Sequence, residues 1–345
     1  KLEGGNWIPI GDDNSFRGHF DGKGHTVDGL RVDVVKENSS ENTSDNTPAY
    51  AGLFGYVEDG TLCNLGVRLH EDGIKAVSNN NDAFAGGIVG LQIGFEDNTL
   101  LRNCFVVGNG KVEATAEFSG FAGGIAGLIS FSVPNSATLT HCYATVDVEA
   151  TANITCCAGG IAGRAYNLII ENCYYGGKVS AGSFADNSAG GIAGETYGSP
   201  DSSTKIKNCV SLAESVTCDF QVNRIAGDER ENTSLTNNHS YNRTKLVIDG
   251  NTTYPIGGAG NNVNGADVYI SNGRVMTDVQ KNEVFAWTGF DKDIWDIPTK
   301  AGKLPSLQKG TYPDLPTLPS KDLTIDETPQ HFTTRNIGNG FVVKV

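Results

Sequence analysis

The chain has 345 residues, enough for one large domain or two to three average ones, and it is acidic, with 26 Lys and Arg against 40 Asp and Glu and a net charge of −14. No basic stripe appears, which disfavours nucleic acid and anionic membranes as partners, and no apolar run approaches the length of a membrane span. The 44 glycines, the many Asn, Ser and Thr residues and the lack of a 3.6-residue apolar period predict an all-β chain rich in turns.

Residues 1–50 read as an opening β-coil followed by a polar loop, with Trp7 and Phe20 expected in the core and the apolar-poor 35–48 expected to be mobile. The opening string KLEGGNWIPIG starts in mid-strand without a signal peptide, so a fragment of a longer polypeptide is expected.

Residues 51–245 are repetitive. A glycine motif appears as AGLFG at 51–55, FAGGIVG at 84–90, FAGGIAG at 121–127, AGGIAG at 158–163 and 189–194, and worn as NRIAG at 223–227. The first five copies start 34, 37, 36 and 31 residues apart. A second motif follows each: LCNLGV at 62–67, LRNCFV at 101–106, LTHCYA at 139–144, IENCYY at 170–175, IKNCVS at 206–211 and LTNNHS at 235–240. A β-branched stretch then leads to the next glycine motif. Three short strand-like runs per unit of about 31–37 residues, with no helix between them, predict a parallel β-helix, right-handed by the crossover rule. The length between the two motifs varies, which places tolerated loops on one edge.

In such a stack equivalent residues lie one strand spacing apart, about 4.8 Å. Asn64, Asn103, Asn172, Asn208 and Asn237 are therefore expected to form an amide ladder at a bend, each bonded to the next, with His141 breaking the series. Cys104, Cys142, Cys173 and Cys209 follow as a column of small apolar thiols, with Leu65 and Asn238 in the same place at its ends. Free thiols are expected, because parallel in-register side chains rarely offer a disulfide dihedral. The adjacent Cys156 and Cys157 are expected to point one inward and one outward. Tyr143, Tyr174 and Tyr175 read as a stripe that either stiffens the stack or offers a surface for stacking sugars.

Residues 246–310 read as closing coils. Asn272-Gly273 within ISNGRV is a hairpin signal, and the best helix candidate is 277–285. In 311–345, Pro313, Pro316 and Pro319 predict an extended linker before a C-terminal strand or tail.

Little in the sequence carries chemistry. Paired Cys-x-x-Cys spacings are missing, so no zinc site of that type is expected, nor any cofactor. There is no Gly-x-Ser-x-Gly elbow and no phosphate loop. The acids Asp147 with Glu149, Asp12 with Asp13, Asp291 with Asp293, and Asp21 are the candidates for carboxylate catalysis, each also placed where a turn or solvated face puts acids.

The paired signals AGGIAG and I-x-N-C-Y-x-x-G-x-V, best seen in IENCYYGGKV at 170–179, resemble the GLUG repeat. The flanks agree: WIPIG with FRGHFDGKGHTVDGLRV looks like the opening module, and FDKDIWDIPTKAGKLPSL at 290–307 looks like the closing segment. The resemblance implies a bacterial surface or secreted protein of gut Bacteroidetes, similar to the accessory repeat region of metallo-type immunoglobulin A proteases. The peptidase chemistry does not carry over, because the His-Glu-x-x-His zinc motif is missing; His70-Glu71-Asp72-Gly73-Ile74 lacks the second His. The expectation is a monomeric, non-catalytic module that binds a host glycan or mucosal protein at the cell surface or after secretion, a lipoprotein anchor being compatible. The alternatives are a carbohydrate-active β-helix enzyme and a passive stalk.

Overall fold

The computed structural model describes residues 5–12, 14–37, 47–95, 100–132, 137–183, 185–253, 266–271, 274–277, 287, 290–297, 304–307, 334–336 and 342–344. Among them every regular element is a strand. Most of the strands form three sheets of many, mostly parallel, strands, and two two-stranded antiparallel pairs stand beside them.

The first sheet holds the strands that lead into the glycine motif: Ala49–Ala51, Ala83–Gly86, Ser119–Gly123, Thr155–Gly159, Asp186–Gly190 and Gln221–Asn223. The second holds those that leave it: Phe54–Glu58, Val89–Gly94, Ala126–Phe131, Ala162–Tyr166, Ala193–Tyr197 and Ala226–Glu229. The third, with 19 strands, carries the Leu/Ile-x-Asn motif and the β-branched stretch. Register follows the repeat: Ala51 pairs with Ala85, Ala85 with Ala122, Ala122 with Ala158, Ala158 with Ala189, and Ala189 with Val222. Each strand thus hydrogen-bonds to the equivalent strand of the next unit.

The bend between the first and second sheets has one repeated device. The Ile161 carbonyl accepts from the N–H groups of both Ile125 and Ala126, each at 3.0 Å, and the Ile192 carbonyl accepts from Ile161 and Ala162 at 2.8 and 3.1 Å. The Ile125 and Ile225 carbonyls do the same one unit earlier and one unit later. One carbonyl thus satisfies two N–H groups at each bend. Glycine is required here by space rather than by φ. A Cβ on Gly123 would sit 1.9 Å from the Ala126 carbonyl oxygen, and one on Gly124 would sit 2.2 Å from that of Gly160.

One large buried cluster takes side chains from all three sheets, including Ile88, Ile125, Ile161, Ile192 and Ile225 from the bends. Trp7, Phe16 and Phe20 pack against it from the opening segment, and Trp7 Nε1 donates to the Leu53 carbonyl at 3.0 Å. The opposite faces of the first and second sheets meet each other outside this core, in a second cluster built on Phe84, Leu91, Phe121 and Cys157. We refer to this meeting of faces as the outer cleft.

At Lys245–Ile248 the parallel pairing gives way to the antiparallel strand Asn251–Thr253, while His239–Tyr241 pairs on in parallel with Ala266–Ser271. Ala266–Ser271 pairs with Arg274–Thr277 across two residues, the place of Asn272-Gly273, and Thr334–Asn336 pairs antiparallel with Val342–Lys344. Thr277 closes a strand; the rest of the helix expected at 277–285 lies outside the described residues, as do 38–46 of the polar loop and the proline segment. The closing segment packs sideways, with Trp287, Phe290, Trp295, Leu304 and Leu307 in one cluster with Phe105, Tyr143, Tyr174 and Val210 of the third sheet.

Candidate functional site

The asparagine column stands at a corner of the third sheet. Asn64, Asn103, Asn172, Asn208 and Asn237 all have φ of 53–54°, the left-handed conformation that asparagine tolerates best after glycine. His141 shares it, with φ 54°, so the bend continues through the position where the amide series is interrupted. Asn64 Nδ2 donates to Asp21 Oδ1 and Asn103 Nδ2 donates to Asn64 Oδ1, both at 2.9 Å. Further along, Asn172 Nδ2 reaches His141 Nε2 at 3.3 Å, while His141 Nδ1 lies 2.9 Å from Thr140 Oγ1. An amide nitrogen only donates, so Nε2 accepts and the ring proton sits on Nδ1, facing Thr140. No proton then points at Asn103, whose carboxamide oxygen is buried without a partner, as is that of Asn172. The ladder is therefore made of short runs instead of one continuous chain.

All eight cysteines are free and buried. Cys104, Cys142, Cys173 and Cys209 lie in the main core, and the Cys142 N–H lies 3.4 Å from Cys173 Sγ. Burial pushes the Cys104 and Cys173 thiols well up, away from the reactive thiolate. Asn238 closes the column: its Oδ1 accepts from the Cys209 N–H and its Nδ2 donates to the Ile206 carbonyl, both at 2.9 Å. Cys156 and Cys157 do point to opposite faces, but both are buried, Cys156 in the main core and Cys157 in the outer cleft.

The tyrosines are not a surface. Phe105, Tyr143 and Tyr174 stack at 5.1 and 4.8 Å within 6° of parallel, yet all are at 0 % exposure. The closing segment covers them, and the Tyr174 hydroxyl donates to the Pro305 carbonyl at 2.7 Å. Tyr175 points into the main core, its hydroxyl within hydrogen-bond distance of the carbonyls of Val146 and Lys178, at 2.9 and 2.7 Å, with one proton to share between them. A hydrophobic segment remote in sequence thus occupies the face that Tyr143 and Tyr174 would offer a sugar, and Tyr175 faces the main core.

The candidate carboxylates have structural partners. Asp147 Oδ1 accepts from the Lys178 N–H at 2.9 Å, Glu149 pairs with Lys111 at 3.3 Å, and Asp12 lies 3.8 Å from Lys36. Asp291 Oδ1 caps a turn through the Asp293 N–H, and Asp21 holds Lys23 and Asn64, which keep its carboxyl well below the usual range. Asp13 lies outside the described residues.

The outer cleft was not foreseen. At its first end Tyr56, Tyr50, Phe84 and Phe121 stack in that order at 5.6, 5.5 and 5.4 Å. Burial, and Tyr56 beside it, push the Tyr50 hydroxyl up to about 12. At the other end the lining turns ionic. Glu195, 2 % exposed, pairs with Arg164 at 2.8 Å and with Arg230 at 3.2 Å, and Arg230 also reaches Asp186 at 2.9 Å and Asp228 at 2.7 Å. Cys157 Sγ lies 3.6 Å from Glu195 Oε2. Burial raises the Glu195 carboxyl, and the two arginines oppose that shift. The signal lay in the residue after each glycine motif, which runs Tyr56, Leu91, Leu128, Arg164, Glu195, Asp228 down the repeats. It is lost when the motif is read only for what it repeats.

Beside the cleft lies an apolar ridge. Phe118 and Ile154 precede the first-sheet strands Ser119–Gly123 and Thr155–Gly159, the Ile154 N–H donating to the Phe118 carbonyl at 3.1 Å. Phe220 lies in the shorter corner two units on, next to Gln221–Asn223 and two residues nearer the glycine motif in register. The three are 44, 49 and 57 % exposed.

Comparison with protein-family models and with curated proteins finds no match. Among solved structures the chain is similar to a putative immunoglobulin A1 protease from Bacteroides ovatus, with 22 % identity, a TM-score of 0.55, and coverage of 84 % of this chain and 76 % of that one. Likeness at this identity speaks for the fold alone.

Proposed function

We propose that the three sheets wrap one core as a right-handed parallel β-helix of GLUG-type units, and that this is a non-catalytic binding module of a bacterial cell-surface or secreted protein. Its ligand is a host glycan or mucosal protein, held at the ridge beside the outer cleft. The ridge carries this reading. Large apolar side chains are normally scattered singly on a surface; here Phe118 and Ile154 stand at the same corner of neighbouring units, with Phe220 further along. The half-buried Tyr50 and Tyr56 add an aromatic surface at the cleft's first end.

The test is a glycan and mucin-protein binding screen of the whole chain and of a Phe118→Ser, Ile154→Ser, Phe220→Ser variant. The expected result is a hit that weakens at least tenfold in the variant, with melting unchanged. A hit that the variant keeps moves the site elsewhere, and no hit sinks the binding reading. A carbohydrate-active enzyme has one observation on its side, the raised Glu195 carboxyl beside Asp228, but both Glu195 oxygens are engaged by arginine at 2 % exposure. Polysaccharide cleavage abolished by Glu195→Gln would favour it.

A further inference from the structure

The geometry points to a transition-metal site, of the zinc type, formed by His19, Asp21 and Cys63. His19 and Asp21 are two residues apart on the strand His19–Lys36, and so share one face of it. Cys63 comes from the neighbouring strand Thr61–Ser78, in direct register with Asp21. An imidazole nitrogen, a carboxylate oxygen and the Cys63 sulfur lie within 4.8 Å of one another. Zinc bonds of about 2.0–2.3 Å correspond to tetrahedral donor separations of about 3.3–3.8 Å. A rotation of the exposed His19 and a small shift of Asp21 close that difference.

Cys63 also departs from the pattern of the other thiols. It occupies the middle position of the Leu/Ile-x-Asn motif, where the later units carry Arg102, Thr140, Glu171, Lys207 and Thr236, each in register with its neighbour. The four thiols of the core column sit two positions further, after the bend. The absence of Cys-x-x-Cys pairs therefore does not exclude this site, because its donors come from two adjacent strands. The set of thiolate, imidazole and carboxylate is neutral with a dication once the thiol proton leaves as H⁺, and the fourth position is left to water.

Three neighbours bear on whether a metal enters, and one of them, the Arg102 side chain in register with Cys63, hydrogen-bonds the thiol and stands as a cation beside the site. Asn64 Nδ2 donates to Asp21 Oδ1 at 2.9 Å, which orients the carboxylate from behind, the role outer hydrogen bonds play at metal centres. Lys23 Nζ holds Asp21 Oδ2 at 2.6 Å and competes directly. Its side chain is 75 % exposed, so the ammonium can swing into water at small cost.

The probe is Co²⁺ added to the whole chain, read by the thiolate-to-cobalt charge-transfer absorption, with Zn²⁺ titration by calorimetry beside it. One equivalent is expected to bind with that absorption, and about one proton to be released on Zn²⁺ binding. Cys63→Ser and His19→Ala are each expected to abolish the absorption, and His19→Ala, at an exposed position, to do so with melting unchanged. Lys23→Ala, an exposed change, is expected to tighten Zn²⁺ binding about two- to fivefold. No charge-transfer absorption in the parent chain, or absorption that persists in Cys63→Ser, overturns the site. Lys23→Ala binding no tighter than the parent overturns the assignment of Asp21 as a ligand.

Discussion

His141 is the residue at which the asparagine column changes chemistry. It keeps the left-handed bend but spends its two nitrogens on Thr140 and Asn172, which leaves the Asn103 carboxamide oxygen without a donor. Asparagine favours this backbone conformation, and at position 141 its Nδ2 would face Asn103. His141→Asn is therefore expected to stabilise the chain by about 0.5–1.5 kcal/mol, the net worth of one restored hydrogen bond, as a rise in urea midpoint at pH 7. The same change alters the pH profile. Burial lowers the His141 pKa below its ordinary 6.5, and the neutral ring is the form that accepts from Asn172. Stability is then complete above the unfolded value and is lost as pH falls through the lowered folded value. The variant should lose less stability than the parent between pH 7 and 5. An equal loss in both would show that the ring is not held neutral by the fold.

At the scale of the element, the glycine bend couples a close backbone approach to a single inward side chain. Ile161 is fully buried, and its carbonyl serves two N–H groups of the preceding unit. Ile161→Asp places an unpaired carboxylate in the core and is expected to cost more than about 4 kcal/mol, so that the chain fails to show a cooperative melt. Ile154→Asp, seven residues earlier on the exposed ridge, should shift stability by no more than about 0.5 kcal/mol. Equal effects of the two would mean that the inward and outward faces are wrongly assigned. The sixth unit shows how far the bend tolerates change. Arg224 stands in the place of the second glycine, fully buried, with its guanidinium donating to the Tyr241 carbonyl at 3.2 Å.

For the whole molecule, a ladder in which each unit bonds to its neighbours divides stability into local and neighbour terms. The closing segment adds a contact of another kind, because Trp295 touches Tyr143 and Tyr174 from neighbouring units at 6.0 and 5.8 Å. Removing a buried tryptophan costs about 3–5 kcal/mol where the site cannot collapse. Here the segment has the option of detaching. Trp295→Ala is expected to open 287–307 to limited proteolysis while the far-ultraviolet circular dichroism of the ladder persists. Resistance equal to that of the parent chain would show that the aromatic column does not depend on this cover.

The repeat length, the strand order within each unit and the register were legible in the residues, since a motif that recurs at a nearly constant spacing aligns its copies whenever parallel strands pair. The cysteines could be assigned to a core column for the same reason. Burial of the tyrosine stripe was not legible: whether Tyr143 and Tyr174 meet water depends on Trp287, Phe290 and Trp295, more than a hundred residues away. The ionic cluster of Arg164, Glu195 and Arg230 and the triad of His19, Asp21 and Cys63 share that origin. Each is assembled across neighbouring strands: Arg164, Glu195 and Asp228 share one repeat position and could be aligned by the motif, whereas nothing in the spacing announces Arg230 or the triad. Sequence by itself determined which residues stack, because stacking is a consequence of repetition. Only the tertiary structure decided which stacked face is covered and which side chains of different strands come within bonding distance, because those outcomes depend on where the non-repeating segments pack.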